Sequence, residues 1–441
     1  MNPQYTIRFC TSADTKAVSK MIKTTFLDFD EFGEWAHMIM DGTHPTARPG
    51  DTVVAVENAS GEIVSAVPCV PQMFCYGGIP LPVMNMQIVG TLPEHREKGL
   101  LRAQVDTLLK HAKQEGIQAV VVFGIAGFYR KLGFLPLLPY SGGRVYSAAY
   151  LKRRFPAKEN ETVTLRPVEM SDLPFLARLH QCSTRRYLIS FPYDQAYWKL
   201  VTFDYFERNR DQIRLITGAA GAPLGTVSHT NGGGEEFAAF NLELMPGVSY
   251  LETLPPVLRA LCSIGEEYAR SNENPSTLES LYLALGPSHP AYAFLEDVQQ
   301  RSKPNTMGYI QLVDLPGFLR YIAPILAERI ANSPICGYSR QVKIELYYRK
   351  EGLVLYFEKG RLVDVRSQEI EGYKPLCDRA DIEMPEQDFV RLLMGQVSVD
   401  ELARNFREVN TWNGQEGLAP EFKILLRTLF PKQESFIYPC L

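Results

Sequence analysis

The sequence predicts a mixed α/β protein built from several units, and three observations lead there. Its length is 441 residues, which at roughly 150 residues per domain argues for about three domains. Short apolar runs of strand length alternate with stripes of helical spacing. Finally, Thr6, Arg8 and Asp14 recur 158 residues later as Thr164, Arg166 and Asp172, the mark of a degenerate internal repeat. Hydrophobic residues make up 45% and charged residues 22% of the chain, which is ordinary for a soluble globular protein. With 46 Lys and Arg against 50 Asp and Glu, the net charge is −4, so a nucleic-acid partner is not expected. No apolar run approaches the roughly 20 residues of a membrane span. The opening Met-Asn-Pro-Gln-Tyr lacks the basic-then-apolar secretory pattern, so a cytoplasmic protein is expected. The 8 cysteines are dispersed without Cys-x-x-Cys, so neither a metal site nor a disulfide framework is expected.

Residues 6–9 read as a strand, and Ser12 caps a helix whose first turn carries Asp14. Ala17, Val18, Met21, Ile22 and Phe26 form that helix's buried face. Strand-like runs cover 52–57 and 62–70, split by the turn Asn58-Ala59-Ser60-Gly61. Gly77-Gly78 marks a further turn before a strand-like run at 87–91. A strong helix carries Leu101, Val105, Leu108 and Ala112 on one stripe and stops at Gly116. Residues 119–123, Ala-Val-Val-Val-Phe, have the continuous apolarity of a strand covered on both faces.

The second copy repeats this order. After Thr164 come the stripe Phe175, Leu176 and Leu179, a hairpin turn at Gly221-Ala222-Pro223, a helix near 251–269 and a strand at 278–285. From Tyr309 the texture changes to a helix at 316–330, strands at 342–348, 353–358 and 361–365, and helices near 385–393, 399–406 and 421–430. The tail after Pro431 holds Phe436, Ile437, Tyr438 and Leu441, too apolar for a purely solvated segment. The expected units are 1–155, 156–305 and 306–441.

The most informative stretch is Pro93-Glu94-His95-Arg96-Glu97-Lys98-Gly99-Leu100-Leu101-Arg102-Ala103, which joins a predicted strand to the strongest helix. The unpaired N–H groups that open a helix can cradle a pyrophosphate. Gly99 permits close approach, and Arg96 and Lys98 supply positive charge. Taken alone, Arg-x-x-Gly reads equally as a charged helix start with a structural glycine. His95 reads as a structural residue at that start. The second copy has Pro246-Gly247-Val248-Ser249 in the corresponding place, so one cofactor site per chain is expected.

Strand, Arg-x-x-Gly, helix, strand and then Phe128-Tyr129-x-x-x-Gly133-Phe134 together resemble the GNAT (Gcn5-related) N-acetyltransferase superfamily. The wording Pro-x-His-Arg-x-x-Gly-Leu-Leu-Arg-Ala, two copies and a third unit are similar to the enhanced intracellular survival protein family. The resemblance implies tandem GNAT-like domains, the second degenerate, followed by a sterol-carrier-protein-like domain. It also implies acetyl-CoA as co-substrate, no metal, and a homo-oligomer, hexameric in that family. Carried over position by position, it sets Val89 and Thr91 beside the acetyl group through backbone contacts. Arg96, Glu97, Lys98, Gly99, Leu100 and Leu101 would form the pyrophosphate loop. Tyr129 falls on the general acid, and the C-terminal carboxylate, here that of Leu441, on the catalytic base. Gly124 departs from the family pattern, where a polar residue often stands.

The acceptor side is read from Asp28, Asp30, Glu31, Glu34 and Trp35. Carboxylates beside an indole suit a cationic acceptor through charge and cation–π attraction, and the same run also suits a solvated helix face. Trp198 of the second copy is a candidate to close that pocket. The expected reaction is N-acetylation of a primary amine of a polyamine, aminoglycoside or lysine side chain. A non-catalytic lipid or acyl-CoA carrier and an acetyl-CoA-sensing binding protein are the alternatives.

Overall fold

The computed structural model describes residues 3–27, 29–204, 212–347, 351–369, 380–405, 409 and 418–437. The first third contains β1 (Tyr5–Phe9), α1 (Thr15–Thr25), α2 (Asp30–Asp41), β2 (Val53–Glu57), β3 (Ile63–Val67), β4 (Cys69–Tyr76), β5 (Ile79–Met86) and β6 (Gly90–Thr91). It continues with α3 (Leu100–Gln114), β7 (Ala119–Val122), β8 (Leu135–Pro139) and β9 (Gly143–Ser147). Next come α4 (Ala148–Arg154), β10 (Thr164–Pro167), α5 (Leu173–Ser183), β11 (Ile189–Ser190), α6 (Gln195–Lys199), β12 (Ile213–Thr217), β13 (Pro223–His229) and β14 (Glu236–Leu244). After them are α7 (Tyr250–Ser271), β15 (Ser280–Leu283), β16 (Gln300–Lys303) and β17 (Met307–Leu312). The last third holds α8 (Leu315–Tyr321), α9 (Ala323–Ala331), β18 (Arg340–Tyr347), β19 (Glu351–Glu358), β20 (Arg361–Glu369) and β21 (Ile382–Pro385). It ends with α10 (Glu386–Leu393), α11 (Val399–Asn405) and α12 (Pro420–Leu429).

The repeat read in the sequence recurs in the bonding. Arg8 donates from both terminal nitrogens to Asp14 at 2.8 Å, and Arg166 does the same to Asp172 at 2.8 Å. Each aspartate also accepts a backbone N–H at 2.8 Å, from Thr11 and from Glu169. A forked guanidinium facing a carboxylate fixes both partners, so each copy locks its first strand to the start of its first helix in the same way. The Arg8 guanidinium holds the Asp14 carboxyl well below the usual carboxylate range.

In the first copy the strands fall into two sheets, ordered β1-β2-β3-β6 and β11-β4-β5-β7-β17-β8. β5 runs parallel to β7 as far as Met86 opposite Val122. The chain then leaves that sheet, and Gly90 and Thr91 pair with Ala66 and Ser65 of β3. The run at 87–91 is therefore a bulge ending in a two-residue strand rather than a full strand. The long strand before it carries Pro80 and Pro82, composition that argues against a central strand. Both prolines pair with β4, opposite Cys75 and Met73, and precede Val83, where pairing with β7 begins. α3 packs Val105, Leu108 and Ala112 on one side of the divide with Met84, Met86, Val120 and Val122. α1 and α2 cover the other side through Val18, Ile22, Trp35 and Ile39.

The second copy's sheet runs β10-β12-β13-β14-β15-β9-β16, and its β14 and β15 are again parallel. β9, from the first expected unit, lies in it between β15 and β16. β17, from the start of the third, lies in the first copy's sheet between β7 and β8. Sheet membership thus crosses the limits expected at 155 and 305. The C-terminal sheet, β20-β19-β18-β21, has its apolar face covered by the chain's own helices. Ile344, Leu355 and Phe357 share one core with Leu326, Phe389 and Leu425, continuous with Phe74 and Leu81 of the first copy.

The tail is integral to this core. Leu188 N–H donates to Glu434 at 2.7 Å, Phe436 N–H to Ile189 at 3.1 Å, and Ile437 N–H to Pro139 at 2.9 Å. Neighbouring tail residues therefore bond to both edge strands, β11 and β8, so the six-stranded sheet curls until its edges are bridged. Ile437 is completely buried there, which accounts for the tail's apolar composition. Among the described residues no helix is long and apolar enough to cross a membrane, and no cluster of potential metal ligands occurs.

Candidate active site

The site grows out of the divide between β5 and β7. Ile88 sits at φ +34, a left-handed conformation that costs a branched residue strain and breaks the ladder. Gln87 N–H donates to Pro68 at 2.7 Å, whereas the Val89 N–H has no backbone acceptor among the described residues. An unpaired donor at the mouth of diverging parallel strands is placed to hold a carbonyl oxygen. Thr91 is held on β3 by a 2.8 Å hydrogen bond between its hydroxyl and that of Ser65.

The loop that follows turns through two left-handed residues, Glu97 at φ +61 and Gly99 at φ +75. The first bond onto the helix is from Ala103 N–H to Gly99 at 3.2 Å. The N–H groups of Gly99, Leu100, Leu101 and Arg102 have no acceptor among the described residues. This is a nest of donors at the positive end of a helix dipole, suited to an anion such as a pyrophosphate. A Cβ on Gly99 would meet nothing within 4 Å, so the backbone conformation and not crowding calls for glycine there. Arg96 is exposed and tied back through Nε to Thr91 O at 3.2 Å. Lys98 turns away, donating from Nζ to the Tyr5 hydroxyl at 2.9 Å. That hydroxyl also meets His95 Nδ1 at 2.9 Å, so His95 supports the loop from below. Arg102, a cation the sequence reading passed over, reaches the carbonyl of Lys131 and ties α3 to the turn bearing Tyr129.

Tyr129 opens a short 3-10 turn, Tyr129–Leu132, after β7. Its ring is held among Phe128, Tyr309 and Phe134, with centroids at 5.2, 5.8 and 6.1 Å. The fourth wall is Gly124, where a Cβ would lie 3.0 Å from Tyr129 Cε2 and 3.3 Å from its hydroxyl. Glycine replaces a larger residue here because the phenol fills the space. Burial raises the Tyr129 hydroxyl to about 12, so it stays protonated near neutrality, and it makes no hydrogen bond among the described residues.

The acceptor-side candidates separate. Asp28 and Leu441 lie outside the described residues, and of Asp30 only its place at the start of α2 is described. Glu31 and Glu34 are exposed on α2, whereas Trp35 is buried. Glu34 diverges from the adjacent Trp35 by about 100°, and Glu31, one turn earlier on the same side, is exposed where the indole is buried. Trp35 Nε1 instead approaches Gln87 Oε1 at 3.4 Å, next to the bulge. Trp198 is 2% exposed and packs on His180 and Tyr193 with centroids at 5.5 Å; it leaves no face for a ligand. The second copy reaches the first one residue earlier. The Tyr197 hydroxyl accepts from Gln72 Nε2 at 2.5 Å, and its ring meets His44 at 5.6 Å. Burial takes the His44 imidazole down to about 4, with Arg48 adding to the effect, so it is neutral here. Only an aromatic in α6 hinted at this contact, and the sequence could not say which one.

The second copy repeats the divide and fills it. Asn241 bulges at φ +43 in β14. The Tyr292 hydroxyl donates to Leu283 O at 2.8 Å and accepts from Leu285 N–H at 3.3 Å, spending the end of β15. Gly286 then abuts the tail residue Phe436.

Residues 6–136 match the model of the acetyltransferase (GNAT) domain, so the chain carries such a domain. No curated protein matches the chain in sequence. Among solved structures it is similar to a GCN5-related N-acetyltransferase from Anabaena variabilis, with TM-score 0.66 and 12% identity over 98% of this chain and 99% of that one. A probable N-acyltransferase from Enterococcus faecalis gives TM-score 0.67 and 11% identity over 98% and 97%. Eis1 from Mycobacterium abscessus gives TM-score 0.60 and 14% identity over 98% and 99%. The resemblance to Eis proteins thus runs through the fold of the whole chain.

Proposed function

We propose that the protein is an acetyl-CoA-dependent N-acetyltransferase acting on a primary amine of a cationic acceptor (a polyamine, an aminoglycoside or a lysine side chain) by direct transfer in a ternary complex. The observation that carries this reading is the nest of unpaired N–H groups at Gly99–Arg102, set beside the bulge at Ile88 and the hydrogen-bond-free Tyr129 phenol. Pyrophosphate oxygens accept from the nest. The acceptor nitrogen attacks the thioester carbonyl, whose oxygen gains charge and is held by the Val89 N–H. Collapse breaks the C–S bond, and Tyr129 donates a hydrogen bond to the departing thiolate. The nitrogen's proton passes to a base, directly or through water. The Leu441 carboxylate is that base in our reading, supported by the tail's docking as far as Ile437 against Pro139. The reaction balances without a metal.

The unit 1–155 is proposed as the working domain, 156–305 as a degenerate copy and 306–441 as the sterol-carrier-like unit, in a cytoplasmic homo-oligomer. A lipid carrier is disfavoured because the C-terminal sheet's apolar face is covered by the chain's own side chains. The test is release of free CoA thiol from acetyl-CoA across polyamines, aminoglycosides and lysine peptides. Amine-dependent release is expected. Acetyl-CoA binding without release for any amine would overturn catalysis in favour of a sensor.

A further inference from the structure

The phenol of Tyr129 follows a loop held at its ends by Phe123 against Tyr140, centroids at 5.2 Å, and by Phe128 N–H donating to Ile125 at 3.3 Å. Between β7 and the turn at Tyr129 run Phe123 to Phe128, with Gly127 at φ +77 and Ile125 and Phe128 exposed. A further anchor in this stretch is a side chain from far along the sequence. Gly127 N–H donates to the hydroxyl of Tyr309 at 2.6 Å. Tyr309 is 4% exposed and lies in β17 opposite Val122 and Pro136. Its ring also stands 5.8 Å from that of Tyr129, tilted by 50°. One side chain therefore pins the loop two residues before Tyr129 and walls the Tyr129 ring. It reaches the site only because β17 is inserted between β7 and β8.

We infer that Tyr309 is a positioning residue for acetyl transfer, acting through Tyr129. The inference rests on the acetyltransferase reading and on Tyr129 as hydrogen-bond donor to the thiolate. A displacement of about 1 Å at a reacting group can cost as much as 100-fold in rate, and the Tyr129 hydroxyl has no hydrogen bond of its own among the described residues to restore its place.

The experiment is a double-mutant cycle on the full chain, with Tyr309→Phe, Tyr129→Phe and the pair. Tyr309→Phe keeps the ring and removes the acceptor of the Gly127 N–H. It is expected to lower kcat about 10-fold, in line with one lost hydrogen bond amplified through geometry, with both KM values within about 3-fold. In the Tyr129→Phe background the same change should have no further effect. Equal losses in both backgrounds would overturn the inference, because a merely structural role does not depend on Tyr129. Undiminished rate in Tyr309→Phe would overturn it while leaving Tyr129 in place; undiminished rate in Tyr129→Phe would instead remove Tyr129 and this inference together. Independently of turnover, hydrogen exchange at the Gly127 amide should speed up at least about 10-fold in Tyr309→Phe. Unchanged protection there would also refute the pinning.

Discussion

Replacing Tyr129 by Phe removes one hydroxyl and leaves the ring among Phe128, Phe134 and Tyr309. Because that hydroxyl has no protein partner among the described residues, the substitution strands no other polar group and stability should hold. Its catalytic cost follows from the pKa. Burial lifts the phenol to about 12, whereas an ordinary thiol lies near 8.5. Complete proton transfer would run uphill by roughly 3.5 units, or about 5 kcal/mol. The phenol therefore acts by hydrogen-bonding the developing thiolate, a charged-group contact of about 1.5–3 kcal/mol. That predicts a kcat lower by about 10- to 150-fold, with KM for acetyl-CoA little changed. Thiol release under saturating amine and acetyl-CoA measures it. A fall below about 3-fold, or a change confined to KM, would refute the assignment. A fall beyond about 10,000-fold would show that full proton transfer governs the step and that the energy argument is wrong.

Gly124→Ala places a methyl 3.0 Å from Tyr129 Cε2, so the ring must shift by a few tenths of an ångström; kcat should fall several-fold with acetyl-CoA affinity kept, and an unchanged kcat would contradict the packing. Burial raises Tyr76, Tyr129 and Tyr187 each to about 12. Unfolded tyrosines ionise near 10, so above that pH the unfolded chain loses protons the native one keeps. Stability should then drop by up to about 1.4 kcal/mol per pH unit for each; site-resolved spectra of labelled tyrosine showing these three ionising near 10 in the native protein would refute the burial. A fragment ending at residue 155 lacks β17 from its central sheet and keeps β9 without partners. It should aggregate through the exposed edges, and a folded, monomeric fragment on gel filtration and circular dichroism would count against the strand exchange.

The two copies show what the site requires beyond the fold. Both have the Arg–Asp lock, a parallel central pair and a left-handed residue in the strand before the cleft. The N–H groups that open α7 are as free of acceptors among the described residues as those of α3, so the copies differ at the strand end and in the loop. In the second, Tyr292 takes up both the Leu283 carbonyl and the Leu285 N–H, and Pro246 stands near the helix start where the first copy has a cationic loop. The bulge and the free helix-start donors are thus properties of the architecture, whereas the first copy is set apart by its cationic loop and by a cleft that no side chain such as Tyr292 takes up.

What was legible in the sequence is what local chemistry decides. The stripe of α3, the left-handed Gly99 before it and the apolar β7 follow from periodicity and glycine's freedom within about 25 residues. The paired Arg8–Asp14 and Arg166–Asp172 locks appear as a repeated spacing. The bulge was misread because Ile88 and Val89 carry strand composition in either geometry, while Pro80 and Pro82 disguise the real strand. Trp35 and Trp198 drew attention by residue type, yet helix phase turns one toward Gln87 and the other into the core around His180. The exchange of β9 and β17 leaves no local trace, since Met307–Leu312 would read the same beside any partner strand. Its consequence is local geometry: the wall and anchor for Tyr129 come from Tyr309, 180 residues further along, so the surroundings of the Tyr129 ring depend on a strand laid down after the second copy has been completed.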